Sequence, residues 1–197
     1  MRKCILFATA GVFLFGVGLA WAQKPITKPR QPTPIFQSAR IPSGPILPLT
    51  TIGTVIATPG TVTFNANNPG SQIAGSPSAT ITWQLTGTSN NSVWTLKVAA
   101  NAANFPGCTS VPASAVTVSC TAATCSGCGG QGSAGCAAGG PWTLPSTAPG
   151  QTVATGKEGN GSPIFTVTLG YDFLDSWTYP ASPACSPLAV TYTVNAP

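Results

Sequence analysis

Histidine is absent from all 197 residues, and Asp and Glu together number only three. The chain therefore lacks the commonest general base, the usual partner of a Ser or Cys nucleophile, and the commonest transition-metal ligand. Most hydrolytic mechanisms lose their central residue, and the chain reads as a non-enzyme. Charge is scarce as well: 6 % of residues are Asp, Glu, Lys or Arg, with a net charge of +5. A positive balance can signal nucleic acid, but position removes that meaning. Arg2, Lys3, Lys24, Lys28, Arg30 and Arg40 all precede residue 50, and beyond it only Lys97 and Lys157 stand against Glu158, Asp172 and Asp175. The remainder is nearly neutral, so no nucleic-acid partner is expected. Long helices are disfavoured too, because 22 Gly and 20 Pro accompany abundant Thr and Ser. One all-β domain with extensions is the expectation.

Residues 1–22, MRKCILFATAGVFLFGVGLAWA, begin basic, continue apolar and end in Ala20-Trp21-Ala22, small residues flanking the Trp. This is the pattern of a signal peptide cleaved before Gln23. An uncleaved membrane anchor is the competing reading, since the apolar run from Ile5 to Ala22 approaches the ~20 residues that span a bilayer. Cys4 lies in the basic region, away from the cleavage site, so lipid attachment is not expected. Residues 23–50 form a linker: seven prolines between Lys24 and Leu49, among them Pro25, Pro29, Pro32 and Pro34, prevent helix or sheet from propagating. Such a composition favours stiff, extended polyproline geometry.

Residues 51–197 carry the strand signals. The clearest is Ala79 to Ala99, where Ala79, Ile81, Trp83 and Leu85 alternate with Thr80, Thr82, Gln84 and Thr86. After a polar loop, Trp94, Leu96 and Val98 alternate with Thr95, Lys97 and Ala99. Period two means one buried and one wet face; folded as a hairpin, these runs would put both Trp on one surface that demands a second sheet. Shorter β-prone runs cover Ile52 to Ile56, Thr61 to Asn65, Val116 to Thr121, Trp142 to Leu144 and Gln151 to Thr155. The longest candidate places Phe165, Val167, Leu169, Tyr171 and Phe173 on one face, and Leu188, Val190, Tyr192 and Val194 repeat the pattern. Residues 121–141, dominated by Gly, Ala, Ser and Cys, read as a loop stapled rather than packed. The sum is an all-β, immunoglobulin-like antiparallel β-sandwich of about eight strands, with a barrel as runner-up.

Three stretches, FPGCTSVPASAVTVSC at 105–120, GYDFLDSWTY at 170–179 and the ending VTYTVNAP, resemble small secreted β-sandwich proteins of environmental bacteria, a largely uncharacterised group. The resemblance covers most of residues 52–197 and implies the fold and an exported location. A weaker similarity, to the WxL cell-wall-binding domain, rests on Trp83-Gln84-Leu85, Trp94-Thr95-Leu96 and Trp142-Thr143-Leu144.

Six cysteines survive removal of the leader: Cys108, Cys120, Cys125, Cys128, Cys136 and Cys185. Cys120, Cys125 and Cys128 have the C-x4-C-x2-C spacing of three ligands of a plant-type iron–sulfur cluster. A fourth cysteine at a fitting interval is missing, and an even number in an exported chain predicts three disulfides, with no metal and no cofactor. Nearness along the chain favours Cys108 with Cys120 and Cys125 with Cys128, which leaves Cys136 to pair with Cys185. Asp172 and Asp175 invite comparison with paired catalytic carboxylates or calcium ligands, but residues three apart on a strand face opposite sides. Trp142, Trp177 and Tyr179 fall outside the clean alternation, next to prolines and polar residues. If exposed, such rings match the flat C–H faces of sugars; otherwise they cap the ends of the core. The expected function is an exported, non-catalytic structural or adhesive module, secreted, periplasmic or on the cell surface. The alternative is a carbohydrate-binding module using these three aromatics. The partner would be a cell-surface glycan or another exported protein, with no membrane span after leader cleavage.

Overall fold

Alternation becomes strand wherever it is sustained. Phe165, Val167, Leu169, Tyr171 and Phe173 are all buried, whereas Thr166, Thr168, Gly170 and Asp172 between them are partly exposed. The same division holds over Ala79–Thr86 and Leu188–Asn195. A computed structural model describes residues 2–9 as backbone and residues 50–87, 91–179 and 185–196 in full. The proline-rich linker before Thr50 and the leader beyond Thr9 lie outside the described residues.

The first strands in chain order are β1 (Arg2–Thr9), β2 (Thr51–Ile52), β3 (Ile56–Thr58), β4 (Thr61–Ala66), β5 (Gln72–Ala74), β6 (Ala79–Thr86) and β7 (Val93–Ala100). They are followed by β8 (Asn104–Phe105), β9 (Cys108–Pro112), β10 (Val116–Ser126), β11 (Ser133–Cys136), β12 (Trp142–Thr143), β13 (Gln151–Lys157), β14 (Ile164–Leu174) and β15 (Leu188–Asn195). One sheet has the order β11-β13-β7-β15-β1-β4. The other runs β12-β10-β14-β6-β2, with β3 also on β6 and β5 also on β14, and β8–β9 is a small separate ribbon. Every pairing is antiparallel except β1 with β15. The molecule is the expected all-β sandwich. Its strands outnumber the expected eight or so because many are edge pieces of two to five residues, such as β2, β5 and β12.

The run from Ala79 to Ala99 is not the hairpin its spacing suggests. β6 pairs with β14, and β7 pairs with β13 and β15, so the loop between them carries the chain from one sheet to the other. Both strands need a partner for the same kind of apolar face, and facing each other across the core satisfies both at once. Trp83 on β6 meets Trp94 on β7 edge-on, with ring centroids 5.1 Å apart. Phe165 on β14 stacks on Trp83 at 5.5 Å and touches Trp94 at 4.8 Å. Towards the other end of β14, Phe173 lies 5.6 Å from Phe64 on β4 and 6.1 Å from Phe105 on β8. Such aromatic pairs contribute about 0.5–1.5 kcal/mol each beyond the area they bury.

Residues 121–141 are less of a loop than their composition suggests. β10 continues to Ser126, pairing with β14 as far as Ile164 with one irregularity between Cys120 and Ala122, and β11 lies within the same stretch. Backbone pairing against a long neighbour needs no large side chain, and for that reason composition misses it.

The three disulfides exist, but two of the expected pairings are corrected. Cys125 joins Cys128 as expected, whereas Cys108 joins Cys185 and Cys120 joins Cys136. Nearness in sequence is overridden by the fold. The Ser186 amide donates to the Pro106 carbonyl at 2.7 Å, which holds the approach to β15 against the β8–β9 turn. Cys185 thereby reaches the buried Cys108, with a Cα–Cα distance of 5.1 Å. Cys120 on β10 and the exposed Cys136 on β11 belong to different sheets, so their bond joins the two sheets at the edge of the sandwich, with a Cα–Cα distance of 5.5 Å. Disulfides persist in oxidising compartments, and these three point to an extracytoplasmic environment. No helix among the described residues is long and apolar enough to cross a membrane.

One polar contact spans the core. The hydroxyls of Tyr171 on β14 and Tyr192 on β15 lie 2.8 Å apart, fully buried. Burial pushes both phenols up, Tyr192 to about 12, against a small opposing effect of the hydrogen bond from Tyr171.

Two predictions follow from the core and the bridges. Tyr171→Phe and Tyr192→Phe each strand the other hydroxyl and should cost about 1–3 kcal/mol in urea unfolding, while the double variant should cost less than the sum. Unfolded tyrosines ionise near 10 and the folded pair resists until higher pH. The unfolded state then binds fewer protons, so wild-type stability should fall above about pH 10, by about 1.4 kcal/mol per pH unit for each tyrosine, until the folded phenols titrate. Replacing both members of a bridge by Ala should destabilise in the order Cys108–Cys185, Cys120–Cys136, Cys125–Cys128, because the closed loops span 77, 16 and 3 residues. On the chain-entropy account the losses are about 4.5, 3 and 1.5 kcal/mol, read as shifts in denaturant midpoint.

Candidate functional site

Where β14 ends, the chain turns through Asp175, Ser176, Trp177, Thr178 and Tyr179. The turn is built from local polar groups. The Asp175 amide donates to the Ser71 carbonyl at 3.2 Å, and the Gly70 amide donates to the Asp175 carbonyl at 2.9 Å, so the strand is tied off against the segment leading into β5. The Asp175 side chain is buried and its Oδ1 accepts the Ser176 amide at 2.9 Å. Ser176 Oγ and Thr178 Oγ1 lie 2.9 Å apart, and the Tyr179 amide donates to the Ser176 carbonyl at 3.1 Å, closing a four-residue turn. Trp177 falls at the second position of that turn, where no described residue covers it, and is 81 % exposed.

Tyr179 behaves differently. Its ring folds back towards the core, 5.9 Å from Phe173, and is half-buried. Partial burial, then the neighbouring Asp175 carboxylate, raises its phenol above the ordinary value. Trp142 is also half-buried, on β12 at the sheet edge in register with Val118 of β10. Its ring lies over Gly140 so closely that a Cβ there would come within 2.7 Å of it. The structure thus joins Trp177 and Tyr179 in one turn and places Trp142 on a different element. Only Trp177 offers an open ring face; Tyr179 and Trp142 pack against the core.

Asp172 and Asp175 occupy different settings. Asp172 lies within β14, in register with Thr117 on one side and Ala74 on the other. The strand stops at Leu174, so parity does not decide where Asp175 goes; the turn does, and it buries the carboxylate as a structural tie. Glu158 is likewise buried, with Oε2 accepting the Thr50 hydroxyl at 3.0 Å. Among the described residues no group of three or more His, Cys, Asp and Glu side chains is placed to hold a metal ion. The C-x4-C-x2-C cysteines are consumed by disulfides, which leaves no thiolate at those positions for iron.

Two features escaped the sequence reading. Asp175 organises the exposed turn, and the cluster Asp175-Ser176 with Thr178 two residues on is the kind of turn-forming chemistry that could have signalled it. Leu174, on the solvent side of β14, is 46 % exposed and flanks the same turn as Trp177; alternation alone places it outward but does not say that nothing covers it. The turn presents an apolar, planar surface, held by a buried carboxylate that accepts the Ser176 amide. No protein-family model, curated protein or solved structure matches this chain.

Proposed function

We propose that the chain is an exported, non-catalytic structural or adhesive module, working outside the cytoplasm on a stiff linker. The observation that carries this reading is the fate of the reactive side chains. All six cysteines of the folded part are in disulfides, and Glu158 and Asp175 serve as buried hydrogen-bond acceptors within the framework. A chain without histidine has then spent most of its remaining chemistry on holding its shape. The leader pattern of residues 1–22 and the oxidising environment that the disulfides require support export. Fractionation of the producing cells tests this. The protein should be recovered outside the cytoplasm, starting at Gln23 and without free thiols; full-length, reduced protein confined to the cytoplasm would overturn the reading.

A second reading, glycan recognition, is favoured by Trp177 alone. An indole that is 81 % exposed at the tip of a hydrogen-bonded turn is shaped to stack on a sugar ring, with Leu174 beside it. Affinity electrophoresis in polysaccharide gels decides it. Retardation of the wild type should disappear in Trp177→Ala, with stability changed by no more than about 0.5 kcal/mol, as for an exposed side chain. Equal retardation of the two proteins, or none of either, would eliminate the turn as a sugar site.

A further inference from the structure

β1 occupies an unusual place. It lies between β4 and β15, antiparallel to the first from Arg2↔Ala66 to Phe7↔Thr61 and parallel to the second from Leu6↔Leu188 to Thr9↔Thr191. Among the described residues it is the only strand partner of β4. Residues 2–9 belong to the leader that an exported chain loses. Its removal opens a staggered slot: the edge of β4 is left open from Thr61 to Ala66 and that of β15 from Leu188 to Thr191, the two edges facing each other across one strand's width, about 9–10 Å, only where Leu6 and Phe7 stood.

The floor of the slot is core. Val62, Phe64 and Ala66 on one side and Leu188, Val190 and Tyr192 on the other are buried, and Leu6 stands in register with both Val62 and Leu188. β4 is tied to the opposite sheet independently of β1. Thr63 and Ser76 exchange two backbone hydrogen bonds of 2.9 Å, Phe64 packs on Phe173, and Gly75 approaches so closely that a Cβ would come within 2.7 Å of Val62 and Phe64. An emptied slot is therefore a template for another strand.

A strand paired along β4 and, over part of its length, along β15 tolerates no internal proline, which lacks the donor. The longest proline-free stretch among residues 23–49 is 35–41, Ile-Phe-Gln-Ser-Ala-Arg-Ile, bounded by Pro34 and Pro42. Ile35, Ala39 and Ile41 share the inward parity with Gln37 between them, and Phe36, Ser38 and Arg40 fall on the other. Between Ile41 and Thr50, Pro42, Pro45 and Pro48 stiffen the chain, and eight residues at about 3.1 Å each extend it by roughly 25 Å. That spacer favours delivery to a neighbour over return to the same domain.

We propose that residues 35–41 of a second copy of this chain fill the slot between β4 and β15 after the leader is removed, so that copies join head to tail by strand donation. The proposal rests on the exported-module reading and supplies its partner. A donor on one side and a slot on the other form a heterologous contact, which builds chains rather than closed pairs.

The test uses the exported, disulfide-bonded protein, with its N-terminus read by intact mass and its size by light scattering over a dilution series. The expected result is a start at Gln23 and masses of two or more times the monomer. Ala39→Pro, in the segment that precedes Thr50, should fall to monomer mass with the near-ultraviolet signal of the buried Trp residues retained. An excess of a synthetic peptide of residues 33–43 should convert it to a one-to-one complex and should shorten the wild-type chains. If Ala39→Pro is impaired in folding, rescue by the peptide supports the proposal and failure of the peptide to bind overturns it. A wild type that is monomeric at every concentration, whether through its own residues 35–41 or closure of β4 onto β15, overturns strand donation while leaving export intact. An exported chain that still begins at Met1 keeps the slot filled and overturns strand donation, and so does an Ala39→Pro protein that assembles like the wild type. Confinement to the cytoplasm overturns the exported-module reading itself.

Discussion

The domain depends on one apolar seam between two sheets, and β14 is its axis. Phe165 meets Trp83 and Trp94 near one end of that strand, and Phe173 meets Phe64 and Phe105 near the other. Neither sheet has another way to bury its inner face, so the aromatic residues decide both that there are two layers and how they are aligned. The Tyr171–Tyr192 hydrogen bond lies between the layers and satisfies two hydroxyls that would otherwise be stranded. It adds specificity of register to a contact that is otherwise driven by area.

Around this seam the chain uses inexpensive materials. Thr, Ser, Ala and Gly fill the outward positions and most connections, and they pair through backbone rather than through side-chain packing. Covalent and polar ties take over where apolar contact is thin. Cys120–Cys136 links one sheet to the other, Cys108–Cys185 fastens the entry to β15, and Asp175 and Glu158 close the ends of strands with buried hydrogen bonds. The rarity of ionisable groups follows the same logic, since two of the three acids of the folded part are part of the scaffold.

The architecture also leaves one strand position to a segment that an exported chain does not keep. β4 belongs to the sandwich through Phe64 and the Thr63–Ser76 bridge, yet among the described residues its place in the sheet comes through β1 alone. Under the strand-donation proposal such a domain is complete only when another extended segment takes that place, while the Trp177 turn leaves an indole exposed on a different element.

Much of this was legible in order along the chain. Alternation marked β6, β7, β14 and β15 nearly to the residue, because burial on one face of a strand is a local, period-two property. The even number of cysteines announced oxidation for the same reason: it depends on composition and compartment. Sheet membership was not legible. β6 and β7 carry the pattern of a hairpin, but the pattern is equally satisfied when the two strands face each other from opposite layers, and only tertiary packing chooses. Disulfide partners followed sheet membership, so Cys108 and Cys136 found partners that nearness in sequence does not suggest. The aromatic site divided likewise: Trp142, Trp177 and Tyr179 all break the alternation, but their exposure depends on what the fold brings over each ring. The sequence by itself determined the class of fold, the faces of its long strands and the oxidised state of its cysteines, all of which are local or compositional. The pairing of strands and cysteines, the burial of Asp175 and the exposure of Trp177 were decided only in three dimensions, because each depends on neighbours far away along the chain.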